Sequence, residues 1–215
     1  MRDTSGSLWS LIVPVKPLHR AKTRLAPVAG DALRPSLALA FAEDTVSAAL
    51  ACPAVREVTV VTDDPLAARR LALLGAAVVP DAPGRGLNAA LAHGAREVRA
   101  AAPAAPVAAL SADLPALRPA ELARVLGAAA AHARSFLADA ARVGTTLLAA
   151  APGAELAPAF EGASRARHRA SGAAELTPAD VESVRRDVDT GEDLRAALAL
   201  GVGRHTAAGV PFLPL

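Results

Sequence analysis

Residues 56–81 read REVTVVTDDPLAARRLALLGAAVVPD, and this stretch decides the fold. Its β-branched opening predicts a strand that ends in two aspartates, Asp63 and Asp64. PLAARRLALLG follows, with proline at its first position and glycine just past its last, the usual punctuation of a helix. AAVVPD then predicts a second short strand. Strand, helix and strand in so short a span mean parallel strands joined by a crossover.

The same alternation extends both ways. LWSLIVPV (8–15) predicts the first strand, and DALRPSLALAFAEDTVSAALA (31–51) has helical period with Pro53 just beyond it. Downstream come a helix in GLNAALAHGAREVRAA (86–101), a strand in APVAALSADLP (105–115) and a helix in RPAELARVLGAAAAHA (118–133). RSFLADA (134–140) and VGTTLLAAAP (143–152) predict two more strands. The expected architecture is an α/β sandwich with a mostly parallel central sheet covered on both faces, as one domain over residues 1–215. Residues 158–178 show no clean period and read as a flexible surface loop or as part of a binding site. VESVRRDVDTGEDLRAALALG (181–201) predicts a short strand, an acidic turn and a closing helix that starts at Gly191 under a Thr190 cap.

The totals exclude several classes. Aromatic residues make up only 2% of the chain and the net charge is +2, which argues against a base-stacking nucleic-acid surface. A single cysteine, Cys52, rules out an intramolecular disulfide and argues against a cysteine zinc site. The N-terminal apolar run is too short for a membrane span and lacks a signal-peptide layout, so the expectation is a cytoplasmic protein with no membrane partner. Alanine-rich faces such as LGAAAAHA suit packing within the chain or in a homodimer.

Ligands of such sheets bind beyond the carboxyl ends of the strands, and polar residues collect there. The loop after the first strand, VKPLHRAKTRL, carries both lysines of the chain, Lys16 and Lys22, with His19, Arg20 and Arg24. Arginine forks and lysine point charges in one loop can grip a triphosphate, although no P-loop or Rossmann glycine pattern is present. Asp113 in SADLPAL leaves a buried strand, and Asp187 and Asp189 alternate along an extended stretch so that they face one way. Two same-facing carboxylates repel unless a cation lies between them, so the three aspartates are candidate Mg2+ ligands. The helix start at Gly86 and Asn88 offers backbone N–H groups and an amide that suit a nucleoside. Thr145 and Thr146, with Ser164, Arg165, Arg167 and His168, could bind a small phospho-acid, although His168 alone reads better as structural.

In that order along the chain, VPVKPLHRAKTRL, GLNAAL, SADLPAL, GTTLL and RRDVDTGEDL resemble the guanylyltransferases of coenzyme F-420 biosynthesis. The resemblance implies a Rossmann-like nucleotidyltransferase fold, with GTP as donor and phosphoenolpyruvate or 2-phospho-L-lactate as acceptor. It implies that Lys16, Lys22 and Arg24 hold the phosphates, Gly86 and Asn88 sit by the guanosine, and Asp113, Asp187 and Asp189 hold Mg2+. It assigns the phospho-acid to Thr146, Ser164 and a backbone glycine. The family pattern Phe-Gly-x-x-Ser is altered here to Phe160-Glu161-x-x-Ser164, with Gly162 one residue late. The Arg- and Ala-rich composition points to a GC-rich bacterium, for which the resemblance favours phosphoenolpyruvate. Two other classes remain: a molybdenum-cofactor or sugar-phosphate transferase on the same fold, and a GTP-binding regulator without turnover.

Overall fold

A computed structural model describes residues 8–82 and 84–212 of the chain. Residues 1–7, part of the N-terminal stretch read above for a leader pattern, lie outside the described residues. Seven strands, β1 (Trp9–Pro14), β2 (Val55–Val61), β3 (Ala77–Val79), β4 (Val107–Leu110), β5 (Arg134–Ala138), β6 (Thr145–Ala150) and β7 (Ala174–Glu175), form one sheet in the order β3-β2-β1-β4-β6-β5-β7. Only β6 runs against the others. The chain builds outward from β1 to β3 and then returns to place β4 on the other flank of β1. That reversal leaves a crevice beyond the ends of β1 and β4, the place where ligands bind in open α/β sheets.

The helices are α1 (Ala26–Leu50), α2 (Pro65–Leu73), α3 (Leu87–Ala101), α4 (Pro119–Ala129), α5 (Ser164–Ala170), α6 (Glu182–Arg185), α7 (Gly191–Leu200) and α8 (Arg204–Gly209). Because side chains alternate along a strand, β1 serves two cores at once. Leu11 and Val13 pack with Leu39, Val46, Leu71, Leu122 and Val184 on one face of the sheet. Ile12 packs with Leu91, Val98, Phe136 and Phe160 on the other. A third, smaller cluster joins Leu25, Phe41, Val188, Leu194 and Ala197. It lies where the basic loop enters α1 and where the Asp187–Asp189 segment enters α7. No described helix is long and apolar enough to cross a membrane.

Two expectations need correction. Residues 182–185 form α6 rather than a strand. The buried carboxylate of Glu121 accepts from the backbone N–H of Ser183 at 2.8 Å and from its hydroxyl at 2.8 Å, giving an early helical N–H a partner that the sequence does not reveal. Of the two readings of residues 158–178, the flexible surface loop does not hold: they contain α5 and β7, and Phe160, His168, Ala173 and Leu176 are buried. The buried side of α5 consists of Ser164 and His168, which carry no hydropathy signal. The outer side is basic, and Arg165 and Arg169 both pair with Glu175 of β7. The closing helix begins at Gly191 as expected, under a capping box formed by Thr190 and Asp193.

The close approach of α3 to the sheet depends on Gly94. A Cβ there would meet Ile12 Cγ2 at 2.7 Å and Val61 Cγ2 at 2.8 Å. Gly94→Ala is therefore expected to lower stability by about 1–3 kcal/mol through overpacking. Gly127, exposed inside α4 with nothing within 4 Å of the place a Cβ would take, should behave oppositely. Gly127→Ala should stabilise by about 0.5–1 kcal/mol. Urea titration of the two variants checks the pair, and a loss of stability in both would contradict this packing.

Candidate active site

The crevice beyond β1 and β4 is a cleft of about 660 Å3. Its basic wall carries Lys16, Arg20, Lys22 and Arg24, and its acidic wall carries Asp113, Asp139, Asp187 and Asp189. The remaining end is lined by Gly144, Thr145, Phe160, Glu161, Gly162 and Ser164. Several of these groups are placed by strand ends. Lys16 follows β1, Asp113 follows β4, Asp139 follows β5, and Thr145 opens β6, whose reversed direction brings its first residue to the same edge.

Lys22 stands at the junction of the two walls. Its ammonium donates to Asp189 Oδ1 at 2.8 Å and also to Asp113 Oδ2. The backbone reaches this position with φ of 55° at Lys22, a left-handed conformation that non-glycine residues rarely adopt. Burial alone would lower the lysine's proton affinity, but the two carboxylates more than reverse this and hold the ammonium charged well above the ordinary lysine range. Asp189 is likewise pushed up by burial but brought below the ordinary carboxylate range by Lys22, with smaller help from Arg24 and Lys16.

Asp187 has no such partner. Burial, then repulsion from Asp113, Asp189 and Asp139, push its carboxyl up to about 8. The expectation that Asp187 and Asp189 face one way is met in that both line the cleft, while Val188 between them is fully buried. The second oxygen of Asp113, Oδ1, is buried without a hydrogen-bond partner. An orphaned carboxylate oxygen beside an underneutralised pair is a donor set that suits a hard divalent cation. Among the described residues, however, no three acidic, histidine or cysteine side chains are already gathered as a metal cluster. The ammonium of Lys22 lies between Asp113 and Asp189 instead.

The other expected site residues are placed as follows. Gly162 and Ser164 line the cleft, and Ser164 is buried at the start of α5. Thr145 lines it as well, whereas Thr146 is fully buried with its hydroxyl unpartnered. Gly86 caps α3 with φ of 91°, and neither it nor Asn88 lines the cleft, although Leu87 does. Both ends of the Asn88 amide are engaged by one residue: Oδ1 accepts from Phe160 N–H at 2.7 Å and Nδ2 donates to Phe160 C=O at 3.3 Å. Asp63 and Asp64 are structural. Asp64 caps α2 through Leu66 and Ala67 and also accepts from Leu18 N–H at 2.9 Å, which ties down the basic loop. Asp63 accepts from Asp81 N–H at 2.9 Å.

Sequence reasoning missed Asp139. It accepts from Val143 N–H at 2.9 Å and Gly144 N–H at 2.7 Å and so pins the turn between β5 and β6. An aspartate five residues before a glycine, at the facing ends of two predicted strands, was the available signal. Glu161 is also explained. Its φ is 77°, in the region that favours glycine, so the glycine that the resemblance implies at this position would have a backbone reason. The glutamate holds the same kind of conformation at a strain on the order of 1–2 kcal/mol. Its carboxylate turns to Lys16, 3.6 Å away, across an exposed pair.

A second, more apolar groove of about 580 Å3 lies between α1, α2 and α8, away from these groups. Its buried carboxylate, Glu43, is taken up by Arg70 Nε at 2.7 Å and by His205 Nδ1 at 3.3 Å.

The profile of the family described as "Guanylyl transferase CofC like" matches residues 9–209. The chain belongs to this family. It is 72% identical to a phosphoenolpyruvate guanylyltransferase of Streptomyces coelicolor, over 93% of this chain and 94% of that one. It is 65% identical to a phosphoenolpyruvate guanylyltransferase of Thermomonospora curvata, over 96% and 90%. Among solved structures, a nucleotidyl transferase from Methanothermobacter superposes with a TM-score of 0.60 at 20% identity, covering 91% of this chain and 98% of that one. The manganese complex of Rv0371C from Mycobacterium tuberculosis superposes at 0.54 with 20% identity, over 90% and 98%. At such identities these structures speak for the fold alone. The chain is a nucleotidyltransferase.

The raised proton affinity of Asp187 makes a pH prediction. Between about 3.8, where a free aspartate titrates, and about 8, the folded state binds more protons at this group than the unfolded chain does. Stability from this group therefore falls as pH rises through that window. With chelator present, Asp187→Asn should melt above wild type at pH 8, and the gap should shrink toward pH 4. A gap that stays constant across the range would contradict the assignment.

Proposed function

We propose that this chain transfers the guanylyl group of GTP to phosphoenolpyruvate and releases pyrophosphate. The observation that carries the reading is one cleft at the sheet's reversal point with four basic residues, Lys16, Arg20, Lys22 and Arg24, facing Asp113, Asp187 and Asp189. That charge layout suits a polyphosphate and a divalent cation together. The names of the Streptomyces and Thermomonospora relatives support the choice of donor base and acceptor.

An oxygen of the acceptor's phosphate attacks the α-phosphorus of GTP, a new P–O–P linkage forms, and the bond to the β-phosphate oxygen breaks as pyrophosphate leaves. The attacking phosphate is ionised at neutral pH, so no general base is required. Catalysis then rests on positioning and on neutralising charge. The basic loop binds the triphosphate and stabilises the leaving pyrophosphate, with Arg24 as an exposed fork and Lys16 and Lys22 as point charges. Asp113, Asp187 and Asp189 would hold the divalent cation, which we take to be Mg2+ and which supplies Lewis-acid polarisation of the phosphates. Lys22 Nζ, now on Asp113 Oδ2 and Asp189 Oδ1, would be free to turn to the phosphates once those carboxylates held a cation. Ser164, Gly162 and the β6 end of the cleft receive the phospho-acid, and the guanosine lies toward the start of α3.

The test is pyrophosphate release with GTP and Mg2+, run with phosphoenolpyruvate, with 2-phospho-L-lactate and with no acceptor. Release that depends on phosphoenolpyruvate is expected. Release with neither acid from a folded protein would sink the reading, and release with 2-phospho-L-lactate alone would reassign the acceptor. Arg24 is exposed, so Arg24→Ala should leave the melting temperature unchanged while lowering kcat/KM for GTP by roughly 10- to 100-fold. Near-normal turnover in that variant would count against the triphosphate clamp.

A further inference from the structure

His168 is fully buried, and both of its ring nitrogens are engaged. Nε2 lies 3.0 Å from Ala159 N, and Nδ1 lies 2.9 Å from Thr145 Oγ1. A backbone N–H can only donate, so Nε2 is the acceptor in the first bond. A neutral imidazole carries its one proton on the other nitrogen, so Nδ1 donates and Thr145 Oγ1 accepts. The ring is held neutral by its surroundings: burial first, then Arg134 and Arg167, push it down to about 4. Phe160 packs edge-on against it with centroids 5.0 Å apart, and Phe136 lies at 5.7 Å. One backbone N–H thereby sets the direction of the whole chain of bonds.

The consequence falls on Thr145. Its oxygen accepts from His168, and no acceptor for its own proton is present among the described residues. Thr145 lines the cleft. Its position is fixed from both directions. Asp139 pins the turn before it, where a Cβ on Gly144 would meet Asp139 Oδ2 at 2.5 Å. The strand register slips between Leu137 and Ala138, so that Ala138 pairs with Thr145 and not with Thr146. Both Asp139 oxygens face backbone N–H groups, which leaves the threonine proton as a donor at this end of the cleft.

We propose that Thr145 donates its hydroxyl proton to an anionic oxygen of the acceptor acid, and that His168 is the positioning residue that aims it. This deepens the guanylyl-transfer reading and rests on it. A donor preset in this way needs no reorganisation when the anion arrives. It is also the kind of dedicated contact by which a site distinguishes acids that differ little in their carbon skeleton.

Two measurements test the proposal. On the protein alone, nitrogen-15 NMR of the histidines should show His168 as the neutral Nδ1–H tautomer. In steady-state kinetics, Thr145→Val, which keeps the shape and removes the hydroxyl, should raise the acceptor KM by about tenfold or more and leave the GTP KM within about twofold. Thr145→Ser should restore most of the loss. His168→Asn places an amide nitrogen near Nδ1 and should retain more acceptor affinity than His168→Ala at equal stability. An Nε2–H tautomer, or an unchanged acceptor KM in a folded Thr145→Val enzyme, would overturn the proposal. No turnover by the wild type would instead overturn the guanylyl-transfer reading itself.

Discussion

The ammonium of Lys22, held between Asp113 and Asp189, is the contact on which the cleft depends. It joins three separate segments: the loop after β1, the turn after β4 and the stretch before α7. Apolar packing carries the same junction below the charges, because Leu25, three residues after Lys22, shares a buried cluster with Val188, which lies between Asp187 and Asp189. The backbone closes it too, as Val188 N–H donates to Asp113 C=O at 3.0 Å. Three carboxylates gathered in a partly dry cleft would repel one another without a cation. Lys22 supplies that cation, and its left-handed backbone is the local strain that accompanies the placement.

The arrangement explains why the two walls have opposite charge. On the proposed function a triphosphate would use the basic wall and a divalent cation the acidic one, with Lys22 at their junction. The other end of the cleft works differently. There the groups are neutral donors, Thr145 and Ser164, set by buried contacts of β6 and α5. The carboxylate of Glu161 also lines the cleft, where it faces Lys16 of the basic wall, while its backbone keeps a glycine-like conformation.

Much of this was legible in the residues. The strand–helix alternation gave the layers, and the polar residues at strand ends gave the cleft, because loops beyond strand termini are where an α/β sheet presents side chains. The Thr190 cap was readable from its local pattern. The errors have physical causes. α6 owes its first turn to Glu121, 62 residues away along the chain, and no local pattern records such a partner. The 158–178 segment folds around a buried histidine and serine, so its inward side carries no apolar period. Asn88 looked like a free amide because its partner, the Phe160 backbone, lies 72 residues distant. The resemblance names Thr146, which is buried, while its neighbour Thr145 lines the cleft, at a slip in strand register that depends on pairing across β5.

On the proposed function, Lys22 holds the place of a cation and would later yield it. Crystals grown with GTP and Mn2+, with manganese located by anomalous scattering, test this most directly. The prediction is manganese bound by Asp113, Asp187 and Asp189, with Lys22 Nζ withdrawn from Asp113 and Asp189 and on phosphate oxygens. Manganese bound to the nucleotide alone, with Lys22 still bridging the two aspartates, would contradict it.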